Sequence, residues 1–320
     1  MAKLTRRDLL VGAGASLAIG SKALAGVPVA GKQVPSFYRS KLGDFELTVV
    51  SDGARPIPLP PRFVLNVPNE EVLKAAEAAY MPKGTVFAPF NPMVVNTGSK
   101  LVMIDTGYGP ISSTVGMLPQ SLKAAGIDPK SIDVVLISHM HGDHINGIKN
   151  PDSSLAFPNA EIKVPAEDWA YWMDDANAAK APEGFFKASF GFCRKIFGDM
   201  KTRVTVYQWG SEVAPGITAL ETAGHTPGHT SFAIQSGSSK LIYQADVSNV
   251  PDLFLKNPDW QVMFDSEPDK AVVTRKRFYD MAAAEKAFIH GYHFPFPGLG
   301  WVEKAGSGYR LINAPWNPVL

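Results

Sequence analysis

The sequence predicts an α/β fold, and three observations carry that expectation. Beyond about Gln33, short apolar runs bounded by Gly, Pro, Asn and Asp alternate with helix-period segments, without internal repeats or low-complexity linkers. Asp105, His139, His225, Asp246 and His293 each fall just after a predicted strand, so a sheet fold would gather them at one edge. The chain has 320 residues and is 45% hydrophobic, enough for a substantial core.

The first stretch reads as an address. Arg6 and Arg7 precede an Ala, Gly and Leu run to Ile19, and Ala23-Leu24-Ala25 supplies a small-x-small cleavage site before Gly26. Residues 1–25 therefore resemble a twin-arginine export signal, too short for a stop-transfer helix. This predicts use of the twin-arginine export machinery, no stable membrane anchor, and a periplasmic or secreted mature protein. Residues 26–36 form an N-terminal extension, and 37–320 a single domain.

Within that domain, 45–50 is expected as a strand, and 56–61 as an extended proline-rich loop that cannot be helical. Asn69 is read as the N-cap of a helix with Glu70 and Glu71 at its positive end and Val72, Leu73, Ala76 and Tyr80 as its stripe. Residues 93–96 and 101–104 flank Gly98 as a hairpin. A helix near 118–125 stops at Gly126, with Pro129 beyond it. Strands follow at 134–137 and 162–164, and then two helical stretches rich in aromatics, Trp169 to Trp172 and Phe185 to Phe192. Further strands are expected at 204–209 and 217–221, a hairpin at 231–235 and 240–244, a helix capped near Ser266, a strand at 287–289 and a last hairpin at 301–312.

The chemistry concentrates in Ser138 to His144, Ser-His-Met-His-Gly-Asp-His, directly after the apolar run 134–137. Imidazole and carboxylate are the ligands that suit divalent zinc, iron or manganese. The other four histidines lie in two clusters, His225 with His229 and His290 with His293. A lone histidine after a strand is ordinarily a hydrogen-bonded or surface residue, and Asp246 alone passes as a turn former. The density of the first motif changes that reading. A net charge of +1 with interspersed acids and bases offers no stripe for nucleic acid. Cys193 is the single cysteine and is read as a buried structural thiol in a helix, away from the histidines.

His139-x-His141-x-Asp143-His144, Gly224-His225-Thr226-x-Gly228-His229, Asp246 and His293 together resemble the metallo-beta-lactamase superfamily. Within it, Phe37 to Glu46, Asn96-Thr97-Gly98, Asp105-Thr106-Gly107 and His293-x-x-Phe296-Pro297-Gly298 are similar to the methyl parathion hydrolase and N-acyl homoserine lactonase branch. The resemblance implies an αββα sandwich, two mixed sheets packed face to face with helices on the outer faces. It implies two divalent metal ions, zinc first, with manganese, iron or cobalt as alternatives. His139, His141 and His225 would hold one, Asp143, His144 and His293 the other, and Asp246 would bridge them. Asp143 and Asp246 are the candidate catalytic residues; Asp105 and His229 would support the ligands, and His290 is the rival of His293. The implied activity is hydrolysis by a metal-bridging hydroxide of small esters, lactones or phosphotriesters carrying an apolar or aromatic group.

Departures from the family pattern narrow this. No arginine follows Asp143 and no cysteine stands at 246, against lactam hydrolysis; His141 is not glutamate, against a di-iron oxygen reductase. Val247-Ser248-Asn249 stands where small lactonases carry a tyrosine. The alternative class is a mononuclear iron oxidoreductase similar to persulfide dioxygenases. Phe87, Phe90, Trp169, Trp172, Phe185 and Phe186 are available to wall the site, although ordinary packing accounts for any one of them. The sequence is compatible with a homodimer.

Overall fold

A strand that is apolar on both faces needs cover on both, and 101–104 and 134–137 are such strands. The computed structural model describes Gly31, Gln33 and residues 36–320, so the expected export signal and most of the 26–36 extension lie outside the described residues. Every element belongs to the unit Pro35–Leu320.

Along the chain, β1 (Phe37–Leu42) and β2 (Phe45–Val50) form a hairpin, and β3 (Gly53–Pro58), α1 (Asn69–Ala78) and β4 (Thr85–Phe90) follow. Next come β5 (Met93–Asn96), β6 (Leu101–Ile104), α2 (Leu118–Ala124), β7 (Val134–Leu136) and α3 (Gly142–Ile145). β8 (Glu161–Pro165) runs into α4 (Ala166–Trp172), α5 (Asp175–Lys180) and α6 (Phe185–Phe197), and β9 (Val204–Tyr207) ends the first half. The second half holds β10 (Glu212–Ala214), β11 (Ile217–Glu221), β12 (Thr230–Ser236), β13 (Ser239–Tyr243), α7 (Pro251–Phe254), α8 (Pro268–Glu285), β14 (Phe288–His290), β15 (Leu299–Ala305) and β16 (Gly308–Asn313).

Two seven-stranded sheets result, ordered β1-β2-β5-β6-β7-β8-β9 and β10 through β16 in sequence. Both are mixed: β6 to β9 pair in parallel in the first, and β13 with β14 in the second. Residue parity then sorts the side chains into layers. Val102, Ile104, Val134 and Leu136 meet Ala219, Phe232, Leu241 and Tyr243 between the sheets. Met103, Val135 and Ile137 point the other way, under Leu122 of α2, Trp172 of α4 and Phe190 of α6. On the second sheet, Ile242 and Ile289 pack beneath Phe278 and Tyr279 of α8. The fold is the expected αββα sandwich, and each fully buried aliphatic chain in it contributes about 1.5–3 kcal/mol.

The structure corrects several local expectations. The proline-rich 56–61 segment is not all loop: Pro56 and Pro58 lie in β3, which pairs with β4 as a separate two-stranded ribbon. Such a ribbon consists of edges, where a missing N–H is tolerated. Asn69 is the first helical residue of α1, with Pro68 at the cap, and Ser266 does not cap α8, whose first turn opens on Pro268. Proline at a helix start replaces the expected side-chain caps. β1, β4 and β10 had no expected counterpart; β1 is an edge strand buried only at Leu42, β4 alternates buried and outward residues in the separate ribbon, and β10 is an edge strand of three residues, too short for an apolar run to stand out.

Candidate metal centre

β6, β7, β11, β13 and β14 all end at one rim of the sandwich, because β6 pairs parallel with β7, β13 with β14, and β11 runs in the same sense as β13 through the intervening β12. The loops beyond them carry Asp105, His139 to His144, His225, Asp246 and His293. His139 Nε2 lies 3.2 Å from His141 Nδ1, which lies 3.0 Å from His225 Nε2. On the other side, His293 Nε2 is 3.3 Å from Asp143 Oδ2, and His144 Nε2 is 3.6 Å from the same oxygen. Asp246 stands between the two groups: Oδ2 is 3.4 Å from His225 Nε2 and 3.1 Å from His293 Nε2, and Oδ1 is 3.4 Å from His144 Nε2. The structure thus brings together all seven residues expected to bind metal. His290 is not among them; it is buried and stacks on Tyr243 at 4.9 Å.

The outer ring atoms settle which nitrogens face inward. His144 Nδ1 faces Asp105 Oδ2 at 2.9 Å, His225 Nδ1 faces Asp265 Oδ1 at 2.8 Å, and His293 Nδ1 donates to the Pro89 carbonyl at 2.8 Å. Their Nε2 atoms therefore converge. Asp105 is itself held by Ser138 N–H, Ser138 Oγ–H and the Tyr243 hydroxyl, at 2.8, 2.8 and 2.9 Å. His229 donates from Nδ1 to the Thr222 carbonyl and accepts the Asp246 N–H at Nε2, each at 3.0 Å, so it props the shared carboxylate from behind. Two buried atoms that face the centre, His144 Nε2 and Asp246 Oδ1, have no hydrogen-bond partner. Imidazole and carboxylate donors aimed at one another with two orphaned atoms fit divalent cations.

Electrostatics agree with that fit. Burial and the neighbouring rings hold His139 and His141 well below the ordinary histidine range, so both stay neutral. Burial alone would lower His293 too, but Asp246 and Asp143 carry it up to about 9; Asp105, Asp143 and Asp246 likewise raise His144 against its burial. A field negative enough to protonate those rings also attracts a cation. His229, desolvated and beside His225, is held down to about 3 and keeps its acceptor nitrogen.

Sequence reasoning missed three supporting residues. Asp168, at the start of α4, accepts from Met140 N–H at 2.8 Å, Gly228 N–H at 2.6 Å and the Thr226 hydroxyl at 3.0 Å, clamping the histidine-bearing loops of opposite sheets together. Asp265 orients His225. Arg275, buried in α8, donates to the carbonyls of Val247, Pro258 and Trp260 and lies 3.4 Å from Asp265 Oδ2. Cys193 is buried as expected, but not remote: its Sγ–H donates at 3.1 Å to the carbonyl of Met140, the residue between His139 and His141.

A cavity of about 250 Å³ opens over His141, Asp143, His225, Asp246 and His293. Of the aromatics expected to line it, Phe90 and Phe185 do. Phe87 does not: strand alternation buries Val86, Ala88 and Phe90 and leaves Phe87 54% exposed on the outer face of β4. Trp172 is fully buried, with 5.6 Å between its ring centroid and that of His141, so it backs that imidazole without lining the cavity. Phe186 and Trp169, on α6 and α4, are half-buried against the core cluster of the first sheet's outer face. Phe63 and Phe264 take their places in the wall, with Ile57 and Val250.

The sequence profile of the Metallo-beta-lactamase superfamily matches residues 89–293, which include every residue of the cluster. The chain belongs to this superfamily. Among superfamily members with solved structures, a hydrolase called AbOPH superposes with a TM-score of 0.82 at 29% identity, covering 89% of this chain and all of that one. AidC, a dizinc quorum-quenching lactonase solved with the product N-hexanoyl-L-homoserine, gives 0.81 at 27%, with the same coverage. By sequence, an N-acyl homoserine lactonase of a Bacillus species is 28% identical over 54% of this chain and 60% of its own length. The lactonase AttM of Agrobacterium fabrum is 30% identical over 42% and 47%. The chain thus spans about half the length of the sequence relatives it matches. No helix among the described residues is long and apolar enough to cross a membrane.

Proposed function

We propose that this superfamily member is a metal-dependent hydrolase holding two divalent cations, zinc first, that cleaves esters, lactones or phosphotriesters bearing an apolar or aromatic group. N-acylated homoserine lactones are the class its relatives suggest. One observation carries the reading: two sets of three ligands, His139, His141, His225 and Asp143, His144, His293, meet across the shared carboxylate of Asp246. The filled second set weighs against the mononuclear oxidoreductase alternative.

Divalent cations in such a site supply Lewis acidity and make water nucleophilic at neutral pH. The chain's own groups do the rest. Asp143 would be raised by burial, but His144 and His293 beside it hold it at about 2, so it is ionised. Its carboxylate also lines the cavity, where it can take a proton from attacking water and deliver it to the leaving oxygen. Phe63, Phe90, Phe185 and Phe264 exclude bulk water and seat the apolar part of the substrate. The test compares turnover of p-nitrophenyl esters, acyl homoserine lactones and methyl paraoxon by the metal-loaded protein. Hydrolysis of at least one class, lost in His141→Ala, is expected; a blank screen with full metal occupancy contradicts the proposal. Export to the periplasm by the twin-arginine route is part of the same reading, tested by fractionation of cells expressing the full chain and an Arg6→Lys/Arg7→Lys variant.

A further inference from the structure

Apart from the candidate ligands, the cavity wall is apolar except at Arg55, Tyr108 and Asn249. The Asn249 side-chain oxygen already accepts the Val250 N–H at 2.9 Å. Arg55 Nη1 donates to Tyr108 Oη at 3.1 Å, and its guanidinium lies 5.5 Å from the centre of the same ring. Because Oη accepts from the guanidinium, its own hydrogen points elsewhere, and it meets no acceptor among the described residues. The two residues come from different places, Arg55 from β3 and Tyr108 from the turn after β6, yet both face the cavity. Tyr108 packs edge-on against Phe90 with 5.3 Å between centroids, and Phe90 packs in the same way, at 5.3 Å, against His293. The pair is therefore one ring away from the metal cluster, at the half-exposed mouth.

We infer that Arg55 and Tyr108 form a donor subsite for a substrate oxygen that is not at the scissile bond, the amide carbonyl of an N-acylated lactone. The inference rests on the proposed hydrolase reading and makes it more specific. The subsite offers hydrogen-bond donors from a guanidinium and a phenol and has no carboxylate among its own partners, so its complement is an acceptor oxygen. The aromatic wall beyond it, Phe63, Phe185 and Phe264, suits the acyl chain that such an amide carries.

The test uses the metal-loaded full chain, Tyr108→Phe and Arg55→Met, with metal content measured in each. Calorimetry with N-hexanoyl-L-homoserine should show binding about tenfold weaker in either variant, the size expected for one lost hydrogen bond. The double variant should be no weaker than the worse single one, because the pair acts as a unit. The ratio of kcat/KM for N-hexanoyl-L-homoserine lactone to that for γ-decalactone, which has no amide, should fall about tenfold as well. Equal binding in parent and variants, no binding by the parent, or an unchanged ratio would overturn the subsite. A parent that binds the ligand and loses affinity on substitution, yet turns over no lactone, would uphold the subsite and refute the hydrolase reading.

Discussion

Asp265 is the residue whose replacement separates the support of the metal centre from the centre itself. Its Oδ1 fixes the His225 ring at 2.8 Å, and its Oδ2 lies 3.4 Å from the buried Arg275 guanidinium. In Asp265→Asn the side chain keeps its shape but loses its charge. Partners of this kind are worth about 10–100-fold in metal affinity, or about 1.4–2.8 kcal/mol. The effect should fall on the site built from His139, His141 and His225, leaving the ion beside His293 less affected. In Asp265→Ala, Arg275 is left without a carboxylate, and loss of a buried partner costs about 3–5 kcal/mol of fold stability. Chelator competition followed by elemental analysis measures the first effect; denaturant unfolding of the metal-free forms measures the second. An Asp265→Asn protein that binds both ions as tightly as the parent would refute this assignment of His225's orientation.

Asp168→Asn should lower metal-free stability by about 1–3 kcal/mol, because an amide cannot accept at both ends from Met140, Gly228 and Thr226; an unchanged urea midpoint would contradict the clamp. Asp52 is buried beneath the N–H groups of Tyr108 and Leu118, and desolvation outweighs those bonds and raises its carboxyl to about 6. The folded chain therefore holds a proton that the unfolded chain releases near pH 4, so stability falls as pH rises from about 4 to about 6. Relative to Asp52→Asn, the parent should lose about 3 kcal/mol across that window, and a flat difference would show that Asp52 does not titrate there. His141→Ala should abolish hydrolysis with the far-ultraviolet circular dichroism unchanged; normal turnover would remove His141 from the site.

Much of the sandwich was legible because its central strands have an obvious signature. Residues 93–96, 101–104 and 217–221 are short apolar runs, and the structure places strands at all three. The clustered histidines were legible for a related reason: four of the seven gathered residues fall within Ser138 to His144, so local spacing carries them. What supports them was hidden. Asp168 looks like an ordinary acidic residue in the first turn of a helix, and Asp265 and Arg275 are separated in sequence from His225 by tens of residues. Only the folded chain puts a carboxylate 2.8 Å from that ring. The aromatic wall failed for a geometric reason. An odd number of residues along a strand, or one residue at a helix start, turns a ring away, which is why Phe90 and Phe185 face the cavity while Phe87 and Phe186 do not. Phe63 and Phe264, outside any regular element, gave no periodic signal at all.

The most direct test of the account is a metal count on the purified chain, made by elemental analysis alongside Asp143→Ala and His225→Ala. Two divalent ions per parent chain and one in each variant are predicted. A parent that saturates at a single ion would contradict the shared role of Asp246.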